Sequence, residues 1–309
     1  MQEHFMQHVA DHGLSYGTLA EFNFRQQIFN DTHREIIAIN SQPGITSTTG
    51  HNFLSTWTKS EKKRLLGYKP MPAGEQAEVE EELEGSGDHP TTVNWVTAGA
   101  VTPVKNQASC GSCWSFSTTG ALEGAHFIKK GELVSFSEEQ LVQCVPSSFY
   151  CSGCNGGSME GAFKWLQSNA IVTEAQYPYT SGRGVTGTCN KTLAAGGKVN
   201  VTKYKNVPAD NSKTLRNFLE KGPVSVAIEA DRTVFTNYTS GVITGSACGT
   251  QLDHGVLAVG FGVENGQNYF LVKNSWGATW GDAGYVKIGW GDGMGVCGIN
   301  HQATRPTSN

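Results

Sequence analysis

Cys113 opens an amphipathic run, and His254 and Asn274 follow it by 141 and 161 residues. A cysteine in the first turn of a helix has its sulfur at the positive end of the helix dipole, and a paired imidazolium lowers its pKa further. Cys113 is therefore expected to be a thiolate near neutrality, able to attack a peptide carbonyl without a second base. His254 would hold the ion pair, protonate the departing amine and later activate water. Asn274 would bond the other imidazole nitrogen and fix the ring's tautomer, with Trp276 shielding that contact from water. Gln107, six residues before Cys113, can aim its side-chain N–H at an oxyanion beside the backbone N–H of Cys113. Asp253 faces the other side of a regular strand from His254, which makes it a cleft-lining residue and not a member of the triad.

These groups need a helix for the sulfur and a strand for the imidazole. Trp114, Thr118, Ala121, Leu122, Ala125 and Ile128 share one face of a helix from Cys113 to about Lys130, stopped by Gly131. Ser137 and Gln140 open a second helix, Met159, Ala162, Phe163 and Leu166 mark a third, and Asn211 to Lys221 a fourth ended by Gly222-Pro223. Thereafter 224–230, 256–263, 269–273 and 284–288 read as strands rich in β-branched residues. Before all of these, Glu21, Arg25, Ile28, Phe29, Ile36 and Asn40 recur at helical spacing in a long helix. Thr58 and Glu61 form a capping box for a short helix through Leu66, after which Pro70 and Pro72 force extended backbone from Gly67 to Gly74.

The run Gln107-Ala108-Ser109-Cys110-Gly111-Ser112-Cys113-Trp114-Ser115-Phe116, with Cys154-Asn155-Gly156-Gly157, Asp253-His254-Gly255 and Asn274-Ser275-Trp276-Gly277, resembles the papain family of cysteine peptidases. The similarity is to the cathepsin L type and runs from about Thr91 to the C-terminus. The first segment resembles the ERFNIN propeptide of that type, with Thr32 where the pattern has Asn. A second propeptide motif appears altered as Gly50-His51-Asn52-Phe53-Leu54-Ser55-Thr56, with Thr56 where Asp is usual.

The resemblance implies an α+β papain-like fold: a helical lobe facing a β-barrel lobe across a cleft, preceded by a helical inhibitory propeptide. It implies a cysteine endopeptidase domain over 89–309, and residues 1–88 as an intramolecular inhibitor threading the cleft against the direction of substrate. It pairs Cys110 with Cys154, Cys144 with Cys189 and Cys248 with Cys297, leaving Cys113 free and Cys151 unpaired, as a small buried side chain. It lines the pocket for the side chain two positions before the cut with Met159, Ala227 and Leu252, with Gln302 at its floor. A Gln amide there is expected to sit poorly satisfied against a large apolar side chain, favouring compact aliphatic ones. Gly156 and Gly157 let an extended peptide approach and pair its main chain. Protein or peptide substrates are the implied partners, with no cofactor or metal and a monomeric enzyme.

Charge divides the chain where the motifs do. Residues 1–88 carry 7 Lys+Arg against 13 Asp+Glu, and the rest 16 against 14. The acidic run from Glu75 to Gly87 reads as a solvated linker open to cleavage, whose protonation would loosen the propeptide, with His33 or His51 as the alternative titrating groups. His4, His8 and His12 share a helical face, read as solvated over a metal or pH-sensing role. A net charge of −4 and a pI near 6.1 show no basic stripe for nucleic acid, and no apolar run reaches the ~18 residues of a membrane span. Met1 to His8 is polar, without an apolar signal core. Eight cysteines and the four sequons at Asn30, Asn190, Asn200 and Asn237 favour an oxidising route to a lysosome, another acidic vesicle or secretion. Two C-x-x-C pairs, Cys110/Cys113 and Cys151/Cys154, leave a metal or redox protein as the rival reading. An inactive binding protein on the same scaffold is disfavoured because every chemical position is filled.

Overall fold

The computed structural model describes residues 1–80 and 90–309. The expected acidic residues Glu81, Glu82 and Glu84, and a boundary at 88, lie outside the described residues. The N-terminal segment begins with α1 (Gln2–Asp11) and α2 (Leu19–Asn40), the latter capped by Thr18, whose hydroxyl accepts from the Glu21 N–H. α2 buries Phe29, Thr32 and Ile36. Thr32 thus fills an interior position of the altered motif. Arg25 binds Glu21, Glu61 and the Thr56 carbonyl, tying α2 to the residues around α3 (Lys59–Lys63). The expected Thr58/Glu61 capping box is present, but the helix stops at Lys63 because the following backbone is drawn into the cleft.

Of the three histidines on the α1 face, His4 and His12 are exposed as the sequence reading expects, and His8 departs from it. His8 is 6% exposed. Its ring lies 4.9 Å from Phe29, 4.4 Å from His12 and 6.0 Å from His51. The helix face is an interface, since Phe29 and His51 of neighbouring elements close over it.

The remaining chain builds two lobes. The first is helical: α4 (Cys113–Lys130), α5 (Glu138–Cys144) and α6 (Met159–Leu166) pack around Trp114, Leu122, Phe136, Leu141 and Phe163. α4 ends at Gly131, whose φ of +76° is open to glycine at no steric penalty. The second lobe packs α7 (Ser212–Leu219) and the short α8 (Thr233–Thr236) against a sheet. Its strands are β1 (Ser47–Thr49) from the N-terminal segment, then β2 (Val93–Asn94), β3 (Val201–Asn206), β4 (Val224–Ile228), β5 (Tyr238–Ile243), β6 (His254–Glu264), β7 (Gln267–Lys273), β8 (Tyr285–Gly289) and β9 (Ala303–Ser308). The order is β1-β5-β8-β7-β6-β4-β9-β3, with β2 paired to β6, and only β5 and β8 run parallel among the pairs described. Leu54 and Leu65 of the N-terminal segment enter the core of this second lobe. Three disulfides join Cys110 to Cys154, Cys144 to Cys189 and Cys248 to Cys297. Neither C-x-x-C pair is therefore free to hold zinc. Cys151 is free and buried.

Candidate active site

Cys113 is the first residue of α4 and His254 the first of β6, so the two lobes each contribute one group. β6 begins two residues earlier than the sequence suggests, which places His254 in a register fixed opposite Ile228 of β4. Its Nε2 lies 2.8 Å from Asn274 Oδ1, just past the end of β7. The Trp276 ring is 4.9 Å from the imidazole and fully buried. Beneath this pair, Lys105 Nζ bridges Glu123 and Glu138 at 3.1 and 2.6 Å, and Lys273 reaches Thr102 at 3.0 Å. This buried polar network, which sequence reasoning missed, braces the end of β7 from which Asn274 projects. Asp253 accepts from the Ala230 N–H at 2.8 Å and not from His254, and burial pushes its carboxyl up to about 7.

The N-terminal segment occupies the cleft. Gly67 N–H points at Cys113 Sγ (3.3 Å), which also faces the Gly255 N–H (3.4 Å). Gln107 donates to the Leu65 carbonyl at 2.9 Å and to Cys110 at 2.8 Å, and is itself held by Ser275. Tyr68 forms a parallel bridge with Gly157: Gly157 N–H donates to Gly67 and Lys69 N–H to Gly157, at 2.8 and 2.9 Å. The approach leaves no room for side chains. A Cβ on Gly67 would lie 1.9 Å from the Gly111 carbonyl, and one on Gly156 would lie 2.7 Å from the Gly67 carbonyl.

In this closed state burial works against the expected thiolate. Burial pushes the Cys113 thiol up to about 11 against the opposing pull of the Gly255 and Gly67 N–H groups. Burial likewise lowers His254 to about 4, outweighing the Asn274 bond and the nearby Leu65 carbonyl. His254 Nδ1 makes no close hydrogen bond. Desolvation therefore holds both groups neutral, and removal of the covering segment is what would let them ionise.

Tyr68 is buried in the same apolar cluster as Met159 and Ala227, with Leu252 packed against it. Gln302 donates to Glu160, which also takes the Asn206 amide (3.1 Å) and the Ala77 N–H (2.8 Å). The Gln302 amide is thus not poorly satisfied, because Glu160, a residue the sequence reading passed over, accepts from it. Burial raises the Glu160 carboxyl above the usual range. Among the sequons, Asn237 is 0% exposed and donates to Gly50 and Ser55 of the N-terminal segment, so a glycan there is incompatible with this state. Asn190 is exposed, while Asn30 and Asn200 are partly covered.

The profile of the papain family of cysteine proteases matches residues 89–307. The chain belongs to this family. It is 41% identical over 300 residues to the probable cysteine protease RD21C of Arabidopsis thaliana, covering 96% of this chain and 65% of that protein's length. The chain thus spans a little under two-thirds of that relative. The digestive procathepsin L2 proteinase from Tenebrio molitor larval midgut superposes with a TM-score of 0.87 at 35% identity, covering 99% of each chain. The Carica candamarcensis cysteine protease CMS1MS2, solved with E-64, matches 71% of this chain and 99% of its own at 40% identity and a TM-score of 0.65. The first likeness includes the N-terminal segment and the second does not.

Proposed function

We propose that the chain is the zymogen of a cysteine endopeptidase, with residues 1–88 as its inhibitor and 89–309 as the enzyme. One arrangement carries this reading. Gly67 lies on Cys113 Sγ while Leu65 takes the Gln107 amide and Tyr68 enters the apolar pocket, so a peptide already lies where substrate must lie. It is not cut because its backbone runs parallel to the Gly157 segment, opposite to the direction the family's substrates take.

When the segment leaves, water re-enters and the proton of Cys113 Sγ passes to His254 Nδ1. The sulfur attacks the scissile carbonyl carbon, and the oxyanion accepts from Gln107 Nε2 and the Cys113 N–H. The C–N bond breaks as the imidazolium protonates the amine, leaving a thioester. His254 then takes a proton from water, whose oxygen displaces the sulfur, and the carboxylic acid departs. Asn274 holds Nε2 throughout, which directs Nδ1 to the reaction. The pocket of Met159, Ala227 and Leu252 favours an apolar side chain two positions before the cut.

An acid trigger fits a lysosome, another acidic vesicle or an acidified secretion, with the enzyme acting as a monomer. The test is to acidify the purified chain, measure loss of residues 1 to about 88 by mass, and label with an electrophilic peptide. Label on Cys113 that appears only after the loss supports the proposal. Full peptidase activity in Cys113→Ala overturns it.

A further inference from the structure

The N-terminal segment does not stop at the cleft. Past Tyr68 it buries Met71, turns at residues 73–75 and meets the outer edge of β3, the last strand in the sheet order, at the strand's final residue, Asn206. Asn206 N–H donates to the Glu78 carbonyl (3.1 Å), Glu80 N–H donates to the Asn206 carbonyl (2.9 Å), and Val79 bridges Asn206 in parallel. This is a single bridge of the kind that begins strand addition to an open edge. The side chains match in charge. Glu78 meets Lys205, Glu80 meets Arg305 at 3.6 Å, and Glu75 meets Lys164 at 3.7 Å, with Lys203 also lining the groove. The expected solvated linker is thus bonded to the body from Ala77 to Glu80, although the Glu78 and Val79 side chains remain largely exposed.

The edge is continuous with the substrate pocket. Glu160 takes the Ala77 N–H with one oxygen and the pocket-floor Gln302 with the other, and Met159 beside it is a pocket wall. Loss of the segment frees the Asn206 backbone N–H and carbonyl beside four cations.

We propose that in the mature enzyme the β3 edge, with Lys164, Lys203, Lys205 and Arg305, is a second docking surface for an extended acidic stretch of a protein substrate, lying N-terminal to the bond cut. The occupant is argued from the chain's own Glu75 to Glu80, which shows that acidic extended backbone fits the edge. A substrate passing Cys113 in the productive direction places its upstream residues on this side and runs antiparallel to β3, a pairing an open edge also accepts. The inhibitor spends nine residues between Tyr68 and Glu78, including a turn. At ~3.3 Å per extended residue a straighter substrate needs fewer, placing the acidic stretch roughly six to ten residues before the cut.

This inference rests on the peptidase reading, and the experiment separates the two. Enzyme matured from the full chain is given a dipeptide reporter and two long peptides with one cleavage site, one carrying Glu-Val-Glu-Glu upstream and one carrying Gln at the acidic positions. At pH 6, where free carboxylates with a pKa of ~4.3 are ionised, the acidic peptide should show about five- to tenfold higher kcat/KM at low salt. The advantage should shrink at about 300 mM salt, where charges are screened within a few ångströms. It should vanish in Lys203→Gln/Lys205→Gln/Arg305→Gln, with dipeptide turnover kept. A peptide of residues 75–88 should inhibit cleavage of the acidic peptide and spare the dipeptide, a result independent of how the variant folds. Equal kcat/KM for the two long peptides in wild type overturns the docking surface. Failure to cleave even the dipeptide overturns the peptidase reading instead.

Discussion

Acid release of the inhibitor should be governed by His8 and His51. Both rings pack on Phe29, His51 stacked at 4.0 Å and His8 tilted at 4.9 Å, and neither His8 Nε2 nor His51 Nδ1 has a hydrogen-bond partner. Burial, then His12, lowers His8 to about 4, and Asp11 opposes only weakly. Burial, then His33, His8 and His4, lowers His51 to about 4. No carboxylate is among the groups acting on His51. A histidine whose folded pKa lies below its free value of 6.5 binds more protons when unfolded, so its stabilising effect is full above pH 6.5 and is lost progressively down to pH 4. At 1.36 kcal/mol per pH unit, pH 5 takes up to ~2 kcal/mol per ring, and about half that once water entry and local relaxation around a protonated ring are allowed for. Two rings together would shift the opening equilibrium roughly 30-fold. In His8→Phe/His51→Phe a ring still packs on Phe29 and neither buried position can take a proton, while His33 loses its 2.9 Å bond to His51. The pH midpoint of self-cleavage should fall by about one unit, provided neutral samples are inactive and therefore still closed. If overpacking opens the double variant, His8→Phe alone should show about half the shift. A midpoint unmoved in a closed, inactive variant refutes the reasoning.

Cys113→Ala should give a folded, uncleaved precursor without activity, and His254→Ala the same; Asn274→Ala should keep weak activity because it orients and does not react, all read as kcat/KM on a dipeptide reporter after removal of the segment by an added protease. Gln302→Ala should leave Glu160 without one donor and raise its pKa further, so the Leu-Arg to Phe-Arg ratio of kcat/KM should change with pH in the variant more than in wild type; identical profiles count against a coupled pocket floor. Arg25→Ala should strand the Glu61 carboxylate, which the Arg25 bond holds at about 2. Release of the N-terminal segment from the body should then come about 1 kcal/mol easier for this partly exposed pair, and an unchanged inhibitor-release midpoint would argue that the network is decorative.

Much of the site was legible because its chemistry is tied to local signals. The sulfur's helix announces itself by apolar spacing and a terminal glycine, and the strand of His254 by β-branched residues. β3 and β9 were not read because Val-Thr-Lys-Tyr-Lys-Asn and Ala-Thr-Arg-Pro-Thr-Ser are polar sequences, the second with a proline, and they gain their strand state from partners distant in the chain, β9 between β4 and β3 and β3 at the edge. The neutrality of Cys113 and His254 was also invisible, since it arises from Gly67 and Leu65 arriving from far upstream. His8 looked solvated because helical spacing says which face a residue shares, not what covers it. Glu160 carried no motif, and only the fold brings it under Gln302.

The docked stretch from Ala77 to Glu80 makes the inhibitor a tethered ligand. While the chain is continuous, the segment meets the cleft at an effective concentration of order mM, and opening in acid reverses when pH is restored. A cut downstream of Glu80 ends that. The same contacts must then be made between separate molecules at cellular dilution, while the cleaved strand can still compete for the β3 edge. If acid sets when the cleft opens, as predicted above, the tether sets whether it can close again, and maturation becomes a ratchet with no new interaction required.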